Sequence, residues 1–365
     1  MLQRLYIHNF RCLENFELPT KGMSSVLLIG KNGAGKSTVA YALEVLQSVG
    51  RGINRVGQLV QSKDFARGRS DVPIRFEIEV LLDDKLYKYI LALELPEKFK
   101  ELRVFEEQLL VSGEPIYSRK EAKVTLYNRE AQFSVDWHLV ALPVIQEQSE
   151  TDRLRIFKTW LARMIILAPI PSLMTGESNG ETLEPKREGS NFGEWISGLL
   201  SRYPAAYTQV DKYLREVMPD IQDFLNEQIG KDSKNMIVRF EANNANLSID
   251  FKDLSDGEKC FFLCAVVLAA NKFYGPLLCF WDEPDNYLSL SEVGHFVTSL
   301  RRSFKNSGQI LVTSHNPEAI RKFSDENTLV LHRKNHLEPT LIRPLSDISI
   351  QGDLVDALIR GDVEL

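Results

Sequence analysis

The chain has 365 residues, of which 44% are hydrophobic and 26% are charged, as in ordinary soluble globular proteins with one large domain and an insertion, or with two domains. No apolar run reaches the ~18 residues of a membrane span, and residues 1–4 open into a strand pattern rather than a signal peptide, so we expect a cytoplasmic protein with no membrane partner. The formal net charge of −6 excludes a uniformly basic nucleic-acid binder, so any DNA contact requires a local basic patch.

The first predicted elements are strands over residues 2–10 and 15–18, which would form an N-terminal hairpin. Further along, residues 30–37, G-K-N-G-A-G-K-S, fit the phosphate-binding pattern G-x-x-x-x-G-K-[ST] at every position. An apolar strand pattern over 26–29 precedes this loop, and helical spacing over 38–46 follows it. The order strand, loop, helix favours a nucleotide site over the alternative, a glycine-rich turn that merely contains a lysine.

Each part of this loop has a predicted role. Gly30, Gly33 and Gly35 let the backbone turn tightly and aim N–H groups at the β-phosphate, and the helix N-terminus adds positive potential. Lys36 is expected to reach the β- and γ-phosphates, and the Ser37 hydroxyl to bind Mg²⁺. The predicted ATP-binding residues of the loop are Gly30, Lys31, Asn32, Gly33, Ala34, Gly35, Lys36, Ser37 and Thr38.

Residues 51–69 are irregular and contain five basic residues against the single acid Asp64. We expect a mobile basic loop, which either contacts DNA phosphates or is only a solvated face. Its basic residues are Arg51, Arg55, Lys63, Arg67 and Arg69.

An antiparallel strand-rich lobe is predicted next, and then a helical stub. Alternation indicates strands over 74–82, 86–95, 102–111, 123–127 and 132–135. Helical spacing indicates helices over 154–166, 192–200, 207–217 and 221–229. Between them, residues 175–191 have a composition that suits an exposed, disordered loop. No heptad repeat is sustained, so we expect no long coiled-coil arm.

Two motifs further along bear on phosphate and water. Residues 254–259, L-S-D-G-E-K, precede an apolar helix over 260–270, so Ser255 and Gly257 stand at a helix N-terminus as anion-binding groups would; a merely capped helix is the alternative. The apolar strand 277–281 ends in Asp282 and Glu283. There the first carboxylate can hold Mg²⁺ and the second can activate water, the alternative being two acids in an ordinary turn.

The strand 309–313 delivers His315, in the sequence S-H-N-P, to its carboxyl end. His315 is predicted to hydrogen-bond the γ-phosphate rather than only to cap a strand. His332 and His336 are spaced as metal ligands on a helix would be, but they follow a strand pattern and a turn, so we assign them no function. The cysteines suit buried free thiols better than disulfides or zinc: Cys12, Cys260, Cys264 and Cys279.

Together the motifs resemble the RecF, SMC and OLD branch of ABC-type ATPases over residues 1 to about 345. Residues 9–13, N-F-R-C-L, resemble its N-F-[RK] opening, and L-S-D-G-E-K resembles the ABC signature with Asp256 in place of the usual Gly. The resemblance implies that His315 is the switch histidine and that Arg11 lies near the nucleotide, a surface arginine being the alternative. It also implies a glutamine that senses γ-phosphate and Mg²⁺, and we prefer Gln146 to Gln148.

The resemblance implies an α/β fold, a P-loop NTPase of the ABC-ATPase head type with a mixed sheet, an antiparallel β lobe and an inserted helical stub. The expected segments are an N-terminal ATPase lobe over 1–150, a helical insertion over 151–235, a C-terminal ATPase lobe over 236–345 and a tail helix over 346–365. Residues 285–289 would be the D-loop, with Ser289 where an aspartate is common. Two chains, or a higher oligomer, would sandwich Mg-ATP, with the signature of one against the γ-phosphate bound by the other.

The expected function is ATP hydrolysis by Glu283, His315 and Lys36 with a metal at Ser37, Asp282 and Gln146, coupled to DNA repair, chromosome handling or anti-phage defence. About fifty residues follow His315, so we expect no Toprim nuclease and a separate effector, such as a nuclease. The alternatives are an ATP-gated scaffold that hydrolyses slowly, and an ABC transporter subunit. The strand-rich stretch and the helical stub disfavour the transporter.

Overall fold

Three β-sheets organise a computed structural model that describes residues 1–127, 131–243, 245–323 and 327–348. The largest has eight strands, all antiparallel: β1 (Leu2–His8), β2 (Phe16–Pro19), β4 (Ile74–Leu82), β5 (Lys85–Glu94), β6 (Arg103–Val111), β7 (Glu114–Lys120), β8 (Lys123–Leu126) and β9 (Ala131–Ser134). Their spatial order is β2-β1-β4-β5-β6-β7-β8-β9. The predicted antiparallel lobe is therefore present.

Alternation explains why these strands were predictable. Phe76, Ile78 and Val80 of β4 have no exposed surface, because side chains two apart share one face of a strand. Within this sheet, the strand that the sequence did not indicate is β7, which contains Pro115 and is rich in polar residues. Proline is accommodated there because the register between β6 and β7 shifts beside it.

The second sheet has six strands and carries the loops of the predicted site. Its order is β10-β14-β15-β3-β16-β17, in which β10, β14 and β15 are parallel to one another and β16 is antiparallel to β17. Its strands are β3 (Ser25–Ile29), β10 (Ile165–Leu167), β14 (Leu278–Trp281), β15 (Gln309–Thr313), β16 (Thr328–His332) and β17 (Leu341–Pro344). Every residue of β14 and β15 is buried, as in parallel sheets covered on both faces.

A third, three-stranded sheet corrects one sequence expectation. Residues 221–229 were expected to be helical, but Ile221–Gln228 is a strand, β11, that pairs with β12 (Lys234–Ala242), which in turn pairs with β13 (Ala245–Asp250). Ile221 and Phe224 are buried, and their spacing of three suits a helix as well as an irregular strand. A register shift next to Ile221 places both on the covered face.

Five of the eight helices in the described residues were predicted, although the helix expected over 154–166 ends at Ala162 and residues 165–166 belong to strand β10. Their bounds are α1 (Lys36–Gly50), α2 (Val56–Leu59), α3 (Arg153–Ala162), α4 (Phe192–Arg202), α5 (Ala206–Val217), α6 (Asp256–Tyr274), α7 (Leu290–Lys305) and α8 (Pro317–Arg321). Within the described residues, no helix is both long and apolar enough to cross a membrane. The predicted tail helix, residues 346–365, lies almost wholly outside the described residues.

The loop 175–191 also differs from its expectation, because the structure ties it to its surroundings by hydrogen bonds. Ser178 and Lys234 exchange backbone hydrogen bonds, and the Asn191 side chain accepts from the Lys186 N–H and donates to the Glu184 carbonyl. A Cβ at Gly193 would lie 2.2 Å from the Glu177 carbonyl oxygen. The composition suits disorder, but these polar side chains bond to the loop's own backbone.

The described residues fall into two compact units. The first holds residues 1–23, 28–164 and 327–348, with the eight-stranded sheet, the phosphate loop and Gln146. The second holds residues 24–27 and 165–323, with the three-stranded sheet, the signature segment, the acidic pair and His315. The four-segment division expected from the sequence stays a prediction.

Candidate functional site

The phosphate loop of the first unit needs glycine at two close approaches. Gly30 has φ 151° and a Cβ there would lie 2.2 Å from the Leu331 carbonyl oxygen. Gly35 has φ 103° and its Cβ would lie 2.8 Å from Thr340 Oγ1. Both contacts exclude a side chain, so the loop is packed directly against the chain behind it.

Thr340 holds this loop from behind, and sequence reasoning missed it. Its hydroxyl donates to the Ala34 carbonyl at 2.9 Å, and its N–H donates to the Cys12 carbonyl at 2.9 Å. The Cys12 thiol in turn donates to Thr38 Oγ1 at 3.5 Å. No local pattern marks Thr340, since its partner Ala34 is 306 positions away.

The positive groups of the loop are arranged for an anion. Lys36 is buried, and its ammonium donates to the Gly30 carbonyl at 2.7 Å, so the side chain folds back over the loop. Helix α1 begins at Lys36 with Gly35 as its N-cap, which supplies no side-chain cap, and its first turn contains no acid. Ser37 and Thr38 lie half-buried in that turn. Lys31, Asn32 and Gly33 are exposed.

Arg11 lies beside α1 in a left-handed backbone conformation with φ 54°. Its Nε donates to Asp64 Oδ1 at 3.0 Å, and its guanidinium stacks 4.0 Å over the Tyr41 ring. These contacts fix Arg11 on the helix that follows the phosphate loop. A role toward the nucleotide stays a prediction.

Gln146 is exposed in a loop that two anchors hold. Lys158 donates to the Ile145 carbonyl at 2.7 Å and pairs with Glu147 at 3.0 Å. Upstream, the buried Glu107 carboxylate accepts from the backbone N–H groups of residues 141 and 142 at 2.7 and 2.8 Å. The position of this loop is thus defined on both sides, while the role of Gln146 stays a prediction.

In the second unit, the acidic pair follows β14 and is joined to β15 by one hydroxyl. Thr313 Oγ1 donates to Asp282 Oδ1 at 2.6 Å and accepts from the Glu283 N–H at 2.9 Å. Thr313 is fully buried at the end of the neighbouring parallel strand. The one signal for it in the sequence is a hydroxyl residue two positions before His315.

Glu283 is the residue with the most constrained geometry in this cluster. Its φ is 50°, an uncommon left-handed conformation for a side chain of this size. Asn286 Nδ2 donates to its Oε2 at 2.5 Å, and His315 Nε2 lies 3.5 Å from its Oε1. These two contacts leave the Glu283 carboxylate partly exposed. The structure therefore brings Glu283 and His315 together, with Asp282 joined to them through Thr313.

Asp285, in the predicted D-loop, is a buried acid two residues after Glu283. It is 4% exposed, and Ser314 donates to its Oδ2 at 2.9 Å. Its Oδ1 has no hydrogen-bond partner among the described residues. Burial raises the pKa of this carboxyl.

The signature segment begins α6 with a capping box. The Ser255 N–H and hydroxyl donate to Glu258 Oε2 at 2.8 and 2.6 Å, and the Glu258 N–H donates back to the hydroxyl. Ser255 is exposed. Gly257 lies close to another loop, since a Cβ added there would be 3.1 Å from the Tyr287 carbonyl oxygen. The cap that was the alternative for this segment is present, and the binding of phosphate by Ser255 and Gly257 stays a prediction.

The basic segment 51–69 is not the irregular loop expected, because it contains α2 and two short 3₁₀ turns, Ser62–Asp64 and Ala66–Gly68. Most of its cations have partners. Arg67 and Arg69 pair with Glu14 at 2.7 and 3.2 Å. The other bonds run from Arg51 to the Ala162 carbonyl and from Arg55 to Glu101. DNA contact by this segment stays a prediction.

Ser37 of the first unit and Asp282 of the second, each taken by itself, carry an oxygen of the kind that binds a magnesium ion. Among the described residues, no group of three or more His, Cys, Asp or Glu is placed to hold a metal by itself. Mg²⁺ in nucleotide sites is bound by one or two protein oxygens together with substrate phosphates. The Asp282 carboxylate, which Thr313 holds in place, is a group of that kind. The Ser37 hydroxyl is another.

Comparisons with known proteins identify the family and the fold. The profile of a family described as "RecF/RecN/SMC N terminal domain" matches residues 1–338. A solved SMC head bound to the C-winged helix domain of ScpA has a TM-score of 0.56 at 14% identity, covering 95% of this chain and 98% of that one. An Smc head domain with an extended coiled coil, bound to the C-terminal domain of ScpA from Pyrococcus furiosus, has 0.52 at 12%, covering 100% and 99%.

A curated relative matches a short stretch. The OLD nuclease of Thermus scotoductus is 44% identical over 46 residues, which are 13% of this chain and 8% of the nuclease. At these identities the solved structures indicate the fold alone. They confirm the predicted α/β head fold, and the family match over residues 1–338 confirms the predicted resemblance.

Proposed function

Because the chain belongs to the RecF/RecN/SMC N-terminal domain family, whose members are ABC-type ATPase heads, we propose that it binds and hydrolyses Mg-ATP in a DNA-linked process. Lys36 and the N–H groups at the start of α1 would bind the β- and γ-phosphates. Ser37 and Asp282 would hold Mg²⁺, which when bound neutralises charge on those phosphates.

The observation that carries hydrolysis is the placement of Glu283. A general base must be held at a fixed position with an oxygen open to water. The Thr313 hydroxyl fixes the backbone of Glu283, Asn286 holds one carboxylate oxygen, and His315 stands at the other. Glu283 would accept the proton of the attacking water, and His315 would orient the γ-phosphate.

We also propose a dimer, which the exposure of the signature supports. Ser255 and the first turn of α6 point a helix N-terminus outward, as an anion supplied by another molecule would require. We propose that Ser255 and Gly257 bind the γ-phosphate held by a second copy. Arg11 and Gln146 are proposed at the nucleotide, and the effector, such as a nuclease in defence or repair, would be a separate chain.

Replacing Glu283 by Gln tests the hydrolysis proposal. Glu283→Gln keeps the size and the Asn286 contact but removes the base, so single-turnover hydrolysis should fall about 10²- to 10⁴-fold while ATP affinity is kept. Lys36→Ala should lose both binding and hydrolysis, because it removes the ammonium from the phosphate loop. Glu216→Gln, at an exposed position of the second unit, is the matched control. Wild-type turnover in Glu283→Gln would place the base elsewhere.

A further inference from the structure

An arginine outside every motif of the sequence stands beside the acidic pair. The Arg187 guanidinium lies 3.9 Å from Asp282 Oδ2, and the side chains are 16% and 13% exposed. Asp282 thus has one oxygen bonded to Thr313 and the other facing a cation. Arg187 belongs to residues 175–191, which the sequence indicated as a disordered loop.

Backbone hydrogen bonds determine where Arg187 stands. Its carbonyl accepts from the Ala168 N–H at 2.9 Å, and the next carbonyl, of Glu188, accepts from the Ile170 N–H at 3.0 Å. Ala168 directly follows β10, which is paired in parallel with β14. Because carboxyl ends of parallel strands share one edge of a sheet, these bonds hold Arg187 at the edge where Asp282 emerges.

The turn that carries Arg187 is also fixed. The Gly189 N–H donates to the Lys186 carbonyl at 3.0 Å, and the Asn191 side chain accepts from the Lys186 N–H at 2.8 Å. The turn therefore holds a mostly buried guanidinium at Asp282, where it would repel a metal ion bound to the same carboxylate. When Asp282 binds a cation, Arg187 therefore needs a second anion as its partner.

Two cations on one carboxylate repel each other unless a further anion lies between them. In the proposed function, the anions next to Asp282 are the nucleotide phosphates. A guanidinium forms two parallel hydrogen bonds to a phosphate as readily as to a carboxylate. We infer that Arg187 is a phosphate-binding residue of the ATP site, which pairs with Asp282 until a nucleotide is bound. This inference rests on the proposed function.

The alternative is an ion pair between Arg187 and Asp282 that only stabilises the turn 186–189. The two differ in what the removal of Arg187 does to ligands. A phosphate ligand should be bound more weakly without Arg187. A metal ion alone should be bound no more weakly, since a competing cation has been removed from Asp282. An ion pair with a purely structural role predicts lower thermal stability with unchanged nucleotide affinity.

The test measures binding rather than turnover. Affinities for fluorescent ATP and ADP analogues with Mg²⁺, for Mn²⁺ alone by EPR, and melting temperatures would be compared for wild type and Arg187→Ala. Arg302→Ala, an exposed arginine of the second unit, is the matched control. We expect Arg187→Ala to weaken ATP binding by about 10- to 100-fold, the range of hydrogen bonds to charged groups, with Mn²⁺ binding equal or tighter.

Two results would overturn the inference. One is ATP affinity within twofold of wild type in Arg187→Ala. The other is weakened binding of ATP and Mn²⁺ in equal proportion, which reports a disordered site. If Arg187→Ala fails to fold, Arg187→Gln decides by the same criteria. The proposed function fails separately, because it requires wild type to bind ATP and Lys36→Ala to lose it.

Discussion

At the scale of single residues, Thr313 links two acidic residues that have different proposed tasks, through the carboxylate of Asp282 and the backbone of Glu283. One hydroxyl donates to Asp282 and accepts from the backbone of Glu283. A buried N–H without an acceptor costs about 1–3 kcal/mol. Thr313 therefore stabilises the left-handed backbone of Glu283 as well as the orientation of the metal-binding candidate.

Thr313→Val tests this link, because valine keeps the shape and removes the hydroxyl. We expect the free energy of unfolding to fall by about 1–3 kcal/mol and hydrolysis to fall by more than ATP affinity. Thr313→Ser should restore both. Thr298→Val, at an exposed threonine of α7, is the control for the substitution itself. Urea unfolding and single-turnover kinetics are the measurements, and an unchanged hydrolysis rate in Thr313→Val would contradict the proposed link.

Asp285 gives a prediction about pH. Burial raises its pKa, so the folded chain holds this proton more tightly than the unfolded chain does. Its contribution to stability is complete below the ordinary Asp pKa and is lost as pH rises through the raised pKa. Asp285→Asn stays neutral and still accepts from Ser314, so it should lose less stability than wild type between pH 4 and 8. Urea unfolding at several pH values measures this. Asp232→Asn is the exposed control, and a pH-independent difference between Asp285→Asn and wild type would count against it.

At the scale of elements, the phosphate loop is defined by its backing as much as by its pattern. Gly35→Ala puts a Cβ against Thr340 Oγ1 and the Cys12 thiol, 2.8 and 3.0 Å away, at φ 103°. Strain of about 1–3 kcal/mol should weaken ATP binding roughly 10- to 100-fold. Gly22→Ala shares the positive φ but meets no atom within 4 Å, so it should bind ATP as wild type does. Fluorescent-nucleotide titration measures both affinities. Equal affinities would mean that Thr340 and Cys12 move aside to accommodate the Cβ.

The elements also explain what could be predicted from the sequence. The phosphate loop, the acidic pair and His315 are contiguous patterns next to apolar strands, so the information is local. Thr340 and Arg187 could not be found, because each acts on a residue far away in the chain. Strand β11 was mistaken for a helix because the spacing of three between Ile221 and Phe224 is helical, and only the register shift in its pairing with β12 places both residues on one face of a strand.

At the scale of the whole molecule, the proposal requires two copies that share two nucleotides. Glu283→Gln should accumulate an ATP-bound dimer, because it keeps the phosphate contacts and prevents hydrolysis. Adding Ser255→Arg should abolish the dimer, since a large side chain would stand where the phosphate docks. Ser255→Asn keeps the helix cap and controls for its loss. The measurement is the molar mass by light scattering with and without Mg-ATP. A Glu283→Gln protein with the same mass in both conditions would contradict the shared site.

The bond between Thr340 and Ala34 has a consequence for synthesis. The phosphate loop leaves the ribosome early, whereas the residue that supports its back wall is made 306 positions later. At the usual ~5–20 residues per second, the nascent chain carries an incomplete loop for many seconds. We expect nucleotide to bind the growing chain only after residue 340 has emerged, so that ATP reaches a finished head and never a partial one.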